Sequence, residues 1–596
     1  MGLIAKTGRK SWKVRLLLFS IFAALSLGAL SMAVPFLLML SGSTRSGVDL
    51  QEFSLLPEFL YQEERLYQKY IEALYNESPS NLRASWGSEL RDFSQVRLRE
   101  NPDLESVKAW EAFVSENQIP AHELSAGFVY TPVSRSRPWL VRRFMQQLQK
   151  EFEGAVEALN QAMGTGFKDW NAFQMLPVDT RSRQGYQQPT PFELRWREFL
   201  REEAPAWSRG VYHLDGYYHE RVTRVLSGRA AEAVALSASA PEDSANRELF
   251  VREVVHPGYV RMDPVFQPLW QELLLARYGD LDSLRKVTGL NVRDGSELVL
   301  PATVQEAGPL AADWMALLEG WQHPETRRKI RIPLEGLRLE SLDLRWRLET
   351  GTAPPMQDRD QWMFQTHKAE IRRVFLFQNY GAVWEILILN GRGLWVTVLY
   401  CAGSVLIALV VNPMAAYALS RFRPRHSYAF LLYLLLTMAF PPMVTQIPLF
   451  LLLRDLQLLN TFWALLLPGM AHGYSIFLLK GFFDSLPREL YESASLDGAG
   501  ELLMFRVITL SLSKPILAVI ALSAFVNAYT AFMFALLICQ DERMWTLMVW
   551  LYQLQQNYGP GVMNAAFVLA SLPTLLVFLL AQRQILRGIV VPSEKG

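Results

Sequence analysis

The sequence predicts an α-helical membrane protein with six transmembrane helices and a large, mostly helical extracytoplasmic domain inserted between the first and second of them. Three observations carry this expectation. Apolar residues gather in runs long enough to cross a bilayer, one near the N-terminus and five in the last third of the 596 residues. Lys and Arg fall on alternate connecting loops. The stretch 42–390 contains no apolar run of spanning length, yet it is long enough for a hydrophobic core of its own.

Taken in order, residues 1–13 carry Lys6, Arg9, Lys10 and Lys13 and read as a cytoplasmic N-terminus. The run 14–41 has no charge after Arg15. It exceeds the apolar core of a cleaved signal peptide, so it reads as a retained first span.

Within 42–390, helical spacing repeats in a region covering 61–320. Leu82 precedes Gly87 by five residues, Leu159 precedes Gly164, and Leu284 precedes Gly289. Trp110, Trp196 and Trp314 open the next apolar-periodic runs, and Pro177 and Pro301 mark the second and third connections. A glycine after such a run suits a left-handed helix cap. The pattern reads as three related helical units, with independent amphipathic helices as the alternative. From 330 to 348 every second residue is largely apolar, which predicts a short β segment. Residues 350–390, opening on TGTAPP, read as a return linker.

The remainder, 391–596, forms the membrane core. Its spans are expected near 394–419, 428–453, 462–483, 508–538 and 562–586. Several contain proline, which neighbouring helices can accommodate. Arg421, Arg423 and Arg425 follow the second span; Lys480, Arg488 and Arg506 follow the fourth; Arg583, Arg587 and Lys595 follow the last. Opposite loops pair Arg454 with Asp455, and Arg543 with Asp541 and Glu542. Both termini are therefore expected in the cytoplasm and 42–390 outside it.

Composition narrows the function classes. The balance of 59 Lys+Arg against 58 Asp+Glu gives no push toward nucleic acid. Cys401 and Cys539 lie in apolar runs and read as small hydrophobes. No metal site is expected. The cluster of His213, Asp215, His219 and Glu220 lacks same-face helical spacing and reads as a solvated loop. No catalytic residue can be assigned. No glycine-rich phosphate loop with its lysine occurs, so no nucleotide is expected on this chain.

The segment 487–515 stands out between the fourth and fifth spans. Pro487 and Glu489 suit a helix N-terminus. Glu492, Ala494 and Ser495 continue it with small side chains, and Gly498 breaks it. Leu502, Phe505, Ile508 and Leu512 then resume helical spacing. Polar groups inside the spans, Asn412, Asn527, Tyr529 and Thr530, suit either a translocation path or hydrogen bonds between helices. Tyr552, Gln553, Gln555 and Tyr558, between the last two spans, carry amide and aromatic groups that suit either contact with a sugar or an interfacial aromatic belt.

These residues resemble the permease subunits of ABC importers, in particular the maltose-type carbohydrate permeases. The family's pattern is an acid, small residues, Asp-Gly-Ala, an aromatic, then Ile-x-Leu-Pro and a further proline. It is met by Glu492, Ala494, Asp497, Gly498, Ala499, Phe505, Ile508, Leu510 and Pro515, with departures at Ser493 and Ser511. The likeness extends to Asn379, Tyr380, Trp384 and Asn390, to Ala416–Tyr417–Ala418 and Arg421–Phe422, to Ile447–Pro448–Leu449, and to Gly588, Lys595 and Gly596 in the tail. It does not cover 45–375.

The resemblance implies a six-helix importer permease in a bacterial cell inner membrane, with 487–515 docking into a separate ATPase. It implies a sister permease, two ABC ATPase subunits that bind the ATP, an extracytoplasmic solute-binding protein within reach of Tyr552, Gln553, Gln555 and Tyr558, and no enzymatic activity on this chain. Two alternatives remain at this level: an extracytoplasmic carbohydrate-processing enzyme fused to the same core, or a secondary transporter.

Overall fold

A computed structural model describes residues 12–49, 54–175, 180–186, 189–221, 244–305, 308–389, 392–437 and 440–587. Lys6, Arg9, Lys10, Pro177, Asn390, Gly588, Lys595 and Gly596 lie outside the described residues. The chain is mostly helical and divides into two compact units, Met1–Thr44 with Asn379–Gly596, and Arg45–Gln378.

The first unit is built from apolar helices. Val14–Gly42, Gly393–Arg421 and Pro560–Gln582 are each long and apolar enough to cross a membrane. Two further helix pairs pass the same test only together. Phe462–Gly469 and Gly473–Asp484 meet at 48°, and Glu501–Leu512 and Lys514–Tyr529 meet at 83°. The described residues therefore contain three such helices, or up to five if each bent pair is one span. The expected span at 428–453 is instead a shorter helix, Ser427–Thr437, and a second one, Pro442–Asp455. Pro441 at the N-cap and Pro442 lack the N–H groups a through-helix needs. The expected run 508–538 also breaks, at Ser513 and again beyond Thr530.

Where the chain leaves this unit and returns to it, the two ends touch. The Asn379 amide donates to the Ser43 carbonyl at 2.8 Å, and the Ser43 and Tyr380 hydroxyls lie 2.6 Å apart.

The second unit packs helices around large aromatic side chains. Three of its helices, Pro79–Trp86, Val156–Met163 and Leu281–Thr288, have eight residues each. They end at Gly87, Gly164 and Gly289, whose φ values of 61°, 68° and 72° lie in the left-handed region where a Cβ is strained. Leu82, Leu159 and Leu284 are fully buried. The residue after each leucine caps the same carbonyl, three beyond the glycine. Arg83 donates to Leu90 O at 3.3 Å, Asn160 to Phe167 O at 2.8 Å, and Arg285 to Val292 O at 2.7 Å.

The first and third segments match further. Gln68 donates to the carbonyls of Ser94 and Val96, and Gln271 to those of Ser296 and Leu298. Asp92 and Asp294 each cap a short turn through the N–H two residues on.

The period-two stretch at 330–348 is not one strand. Lys329–Ile330 pairs with Trp321–Gln322, Leu337–Leu339 pairs with Val260–Met262, and Leu342–Thr350 is a helix. Ser341 caps that helix by accepting from Leu344 N. Its Leu342 and Trp346 pack with Trp110, Val211 and Met356, while Leu344 packs in the separate core of Trp270 and Trp314. A helix wedged between two cores is apolar on both sides, and over seven residues that mimics alternation. The expected return linker is likewise mostly helix, Met356–Trp384. Phe364, Ile371 and Phe375 recur at near-helical spacing and are buried in the core built on Tyr67 and Phe144.

Candidate functional site

The segment 487–515 forms a short helix, a glycine bend and a second helical run. Arg488–Leu496 is the first helix, with Pro487 at its N-cap and Glu489 in its first turn. Ala499 N donates to Ala494 O at 2.9 Å, which closes the turn around Gly498. Gly498 has φ 82°, where only glycine is unstrained. Beyond the bend come Glu501–Met504, a π-helical turn Phe505–Thr509, and Leu510–Leu512.

Glu492, Asp497 and Gly498 are exposed. Leu496, 89 % exposed, is an unusually open leucine on the same element. Ala494, Ala499 and Phe505 pack inward, against the core of Tyr417, Tyr491 and Met504. The predicted residues thus separate into an outer face and an inner one.

Five residues of this region, Tyr417, Arg421, Tyr491, Glu501 and Thr509, were not among the site residues the sequence singles out. Tyr417 Oη donates to Glu501 Oε2 at 2.7 Å, the Arg421 guanidinium sits 5.0 Å from the Tyr491 ring centre, and the Tyr491 and Thr509 hydroxyls are 2.8 Å apart. Tyr417 and Arg421 carried a sequence signal only as part of the family likeness. Glu501 and Thr509 carried none, because their partners are distant in the chain.

A groove of about 750 Å3 in the same unit collects part of the second set. Tyr529, Thr530, Tyr552 and Gln555 line it, with Phe532 and Thr574. The Tyr529 hydroxyl donates to the Ala570 carbonyl, and the Tyr552 and Phe532 rings lie 5.2 Å apart. Asn412 is elsewhere: it is buried, and its Oδ1 accepts from His472 N at 3.1 Å, tying one helix to the break in another. Asn527 and Gln553 do not line the groove, and Tyr558 packs against the core around Trp550.

In the second unit, the histidine–carboxylate cluster is held by ion pairs rather than solvated. Asp215 pairs with Arg347 at 2.9 Å and Glu220 with Arg83 at 2.8 Å. His213 Nδ1 accepts from Gly216 N. Among the described residues no group of three metal-capable side chains converges.

Apolar spanning helices, a polar bend carrying an acid and Asp-Gly-Ala, and a groove between helices define a multi-pass permease. The comparisons with known proteins agree. Residues 406–591 match the model of the binding-protein-dependent transport system inner membrane component family. The probable ABC transporter permease protein YurM of Bacillus subtilis is 35 % identical over 206 residues, covering 34 % of this chain and 68 % of YurM. The sn-glycerol-3-phosphate transport system permease protein UgpE of Yersinia enterocolitica is 31 % identical over 245 residues, covering 40 % and 87 %. The arabinooligosaccharides transport system permease protein AraQ of Halalkalibacterium halodurans is 28 % identical over 225 residues, covering 37 % and 78 %. The chain belongs to the family of binding-protein-dependent ABC transporter permeases.

Proposed function

We propose that the chain is a permease subunit of an ABC importer for a sugar or oligosaccharide, working with a sister permease, two ATPase subunits that bind and hydrolyse ATP, and an extracytoplasmic solute-binding protein. In this reading the termini and the bend at Gly498 face the cytoplasm of a bacterial cell, 42–390 lies outside, and the chain itself catalyses no reaction. The observation that carries it is the outer face of Arg488–Leu496 and the bend after it, where Glu492, Leu496, Asp497 and Gly498 are exposed together. Leu496, Leu502 and Leu503 on the two arms of the bend are all exposed, and apolar surface of this kind beside carboxylates suits a docking partner. An ATPase groove with a basic group and an apolar floor would be such a partner.

The sugar assignment rests on the relatives' names and on the groove. Hydroxyl and amide groups of Thr530, Tyr552 and Gln555 among aromatic rings suit a polyol. Purification through a tag on this chain, followed by mass spectrometry, tests the reading. It expects an ATPase and a second permease in the complex, and a saccharide carried by any associated receptor. Loss of the ATPase on Glu492→Lys with Gly498→Pro, with the second permease retained, is the expected control. Transport that persists in that variant would favour the secondary-transporter alternative.

A further inference from the structure

The glycine bend creates a mechanical difficulty. Between the helix Arg488–Leu496 and the helix beginning at Glu501 lie Asp497, Gly498, Ala499 and Gly500. Two glycines in four residues give a soft backbone. A push on the outer face of the first helix would be absorbed at the bend unless both arms were fastened to something stiffer.

Both arms are fastened, and to the same place. On the near arm, the Tyr491 ring lies under the Arg421 guanidinium at 5.0 Å and beside Tyr417 at 6.5 Å. On the far arm, Glu501 Oε2 accepts from the Tyr417 hydroxyl at 2.7 Å, and its other oxygen is 3.8 Å from Arg421 Nε. Phe505, one turn on, packs on the Tyr417 ring at 5.1 Å. The Tyr491–Thr509 hydrogen bond closes the two arms on each other. Tyr417 and Arg421 are the last turns of Gly393–Arg421, a continuous helix of 29 residues. That helix end is fixed in turn by Ser420, which donates to Asp484 at 2.6 Å.

We propose that Glu501, with Tyr417 and Arg421, is a strut that makes the glycine bend rigid and delivers movement of the helix Arg488–Leu496 to the long helix Gly393–Arg421. This deepens the permease reading above and rests on it. Glu501 is a positioning residue: it acts through Tyr417 and Arg421. The ionic contact is long and partly exposed, so its share of stability is small. The hydrogen bond from the Tyr417 hydroxyl to the Glu501 carboxyl oxygen is short and directional, which is what a strut requires.

The test uses the complex purified through this chain, with Cys401 and Cys539 replaced by alanine and Thr530→Cys placed in the groove as a reporter. The rate of its modification by a water-soluble maleimide is measured with and without ATP and vanadate, alongside ATP hydrolysis. In the parent the nucleotide should change the rate severalfold. Tyr417→Phe and Glu501→Ala should abolish that response while the ATPase subunits are still recovered and still hydrolyse ATP. Glu501→Gln, which keeps an acceptor for Tyr417, should retain it.

A full response in Glu501→Ala and Tyr417→Phe overturns the strut. So does loss of ATPase recovery in both variants, since Glu501 would then serve docking instead. If the parent recovers no ATPase, or shows no response to nucleotide, the permease reading itself fails, whatever the variants do.

Discussion

The two units solve opposite solvation problems with similar helices. In Arg45–Gln378 the large side chains are inside: Trp110, Trp207, Trp270 and Trp314 are almost fully buried, and so are charged groups such as Lys69, which reaches Asp49 at 2.8 Å. In the other unit many of the largest apolar side chains are outside, and Leu25 is 64 % exposed. A water-soluble fold hides its apolar surface and satisfies the polar groups it traps. A membrane unit leaves apolar surface for lipid and hides its few polar groups, as Asn412 is hidden against His472. The contrast says that the second unit hides its apolar surface in its own cores, whereas the first has cores and also leaves apolar surface for its surroundings.

The strongest way to break this comparison is at a buried charge. Asp360 is 1 % exposed, accepts from Tyr75 at 2.5 Å and Trp86 at 2.9 Å, and lies 3.6 Å from Arg359. Asp360→Ala should cost about 3–5 kcal/mol, because it strands these partners in the core. Hydrogen exchange of peptides within 63–110 should show the loss, with the membrane helices unaffected. If the membrane helices lose protection equally, the units are not separately stabilised.

A matched pair of leucines comes next. Leu66→Ala, at a fully buried site, should destabilise its unit by about 2–5 kcal/mol. Leu25→Ala should leave the protein nearly unchanged in lipid, and thermal unfolding followed by proteolysis would compare them.

Glycines with the same backbone sharpen the contrast in another way. Gly289→Ala and Gly498→Ala each force a Cβ into the left-handed region, at about 1–2 kcal/mol. The first should lower the unfolding temperature of its unit. The second should weaken recovery of the ATPase and leave that temperature alone.

The smallest expected effect is in pH. Burial pushes the Glu123 carboxyl up to about 8 and that of Glu72 likewise to about 8. The folded unit keeps these protons while the unfolded chain gives them up from near 4.5, so stability falls as pH rises toward 8. His122 is held down to about 4, chiefly by burial and then by Arg261 and Arg197. Its contribution is present above 6.5 and is lost as pH falls toward 4. Glu123→Gln can still accept from Leu342 N. It should reduce the loss between pH 7 and 8 by about 1 kcal/mol and change little at pH 5.

What was legible in the sequence was local. Acid, small residue, glycine and aromatic follow one another within one segment, so Glu492 to Phe505 announced both the bend and the family. The span lengths of the first, second and last membrane helices were equally plain, since they depend only on unbroken apolar runs. The bends near Pro441 and Ser513 were not, because proline in a membrane helix is compatible with either a kink or a straight span. Leu342–Thr350 imitates a strand in the sequence because it is buried on two sides. Glu501 was invisible because its meaning lies in Tyr417, 84 residues away. Groove membership of Tyr529, Thr530, Tyr552 and Gln555 could not be separated from the outlying Asn527 and Gln553, since both sets are polar residues at similar depth in the chain.

The contact between Ser43 and Asn379 has a consequence for editing the gene. Because the two strands of chain leave and rejoin their unit side by side, the membrane part sees the long insertion as a single small loop. Residues 45–378 could be excised and the cut ends bridged by a few glycines and serines, yielding a permease of ordinary length. The same two positions would accept a foreign module whose termini lie close together.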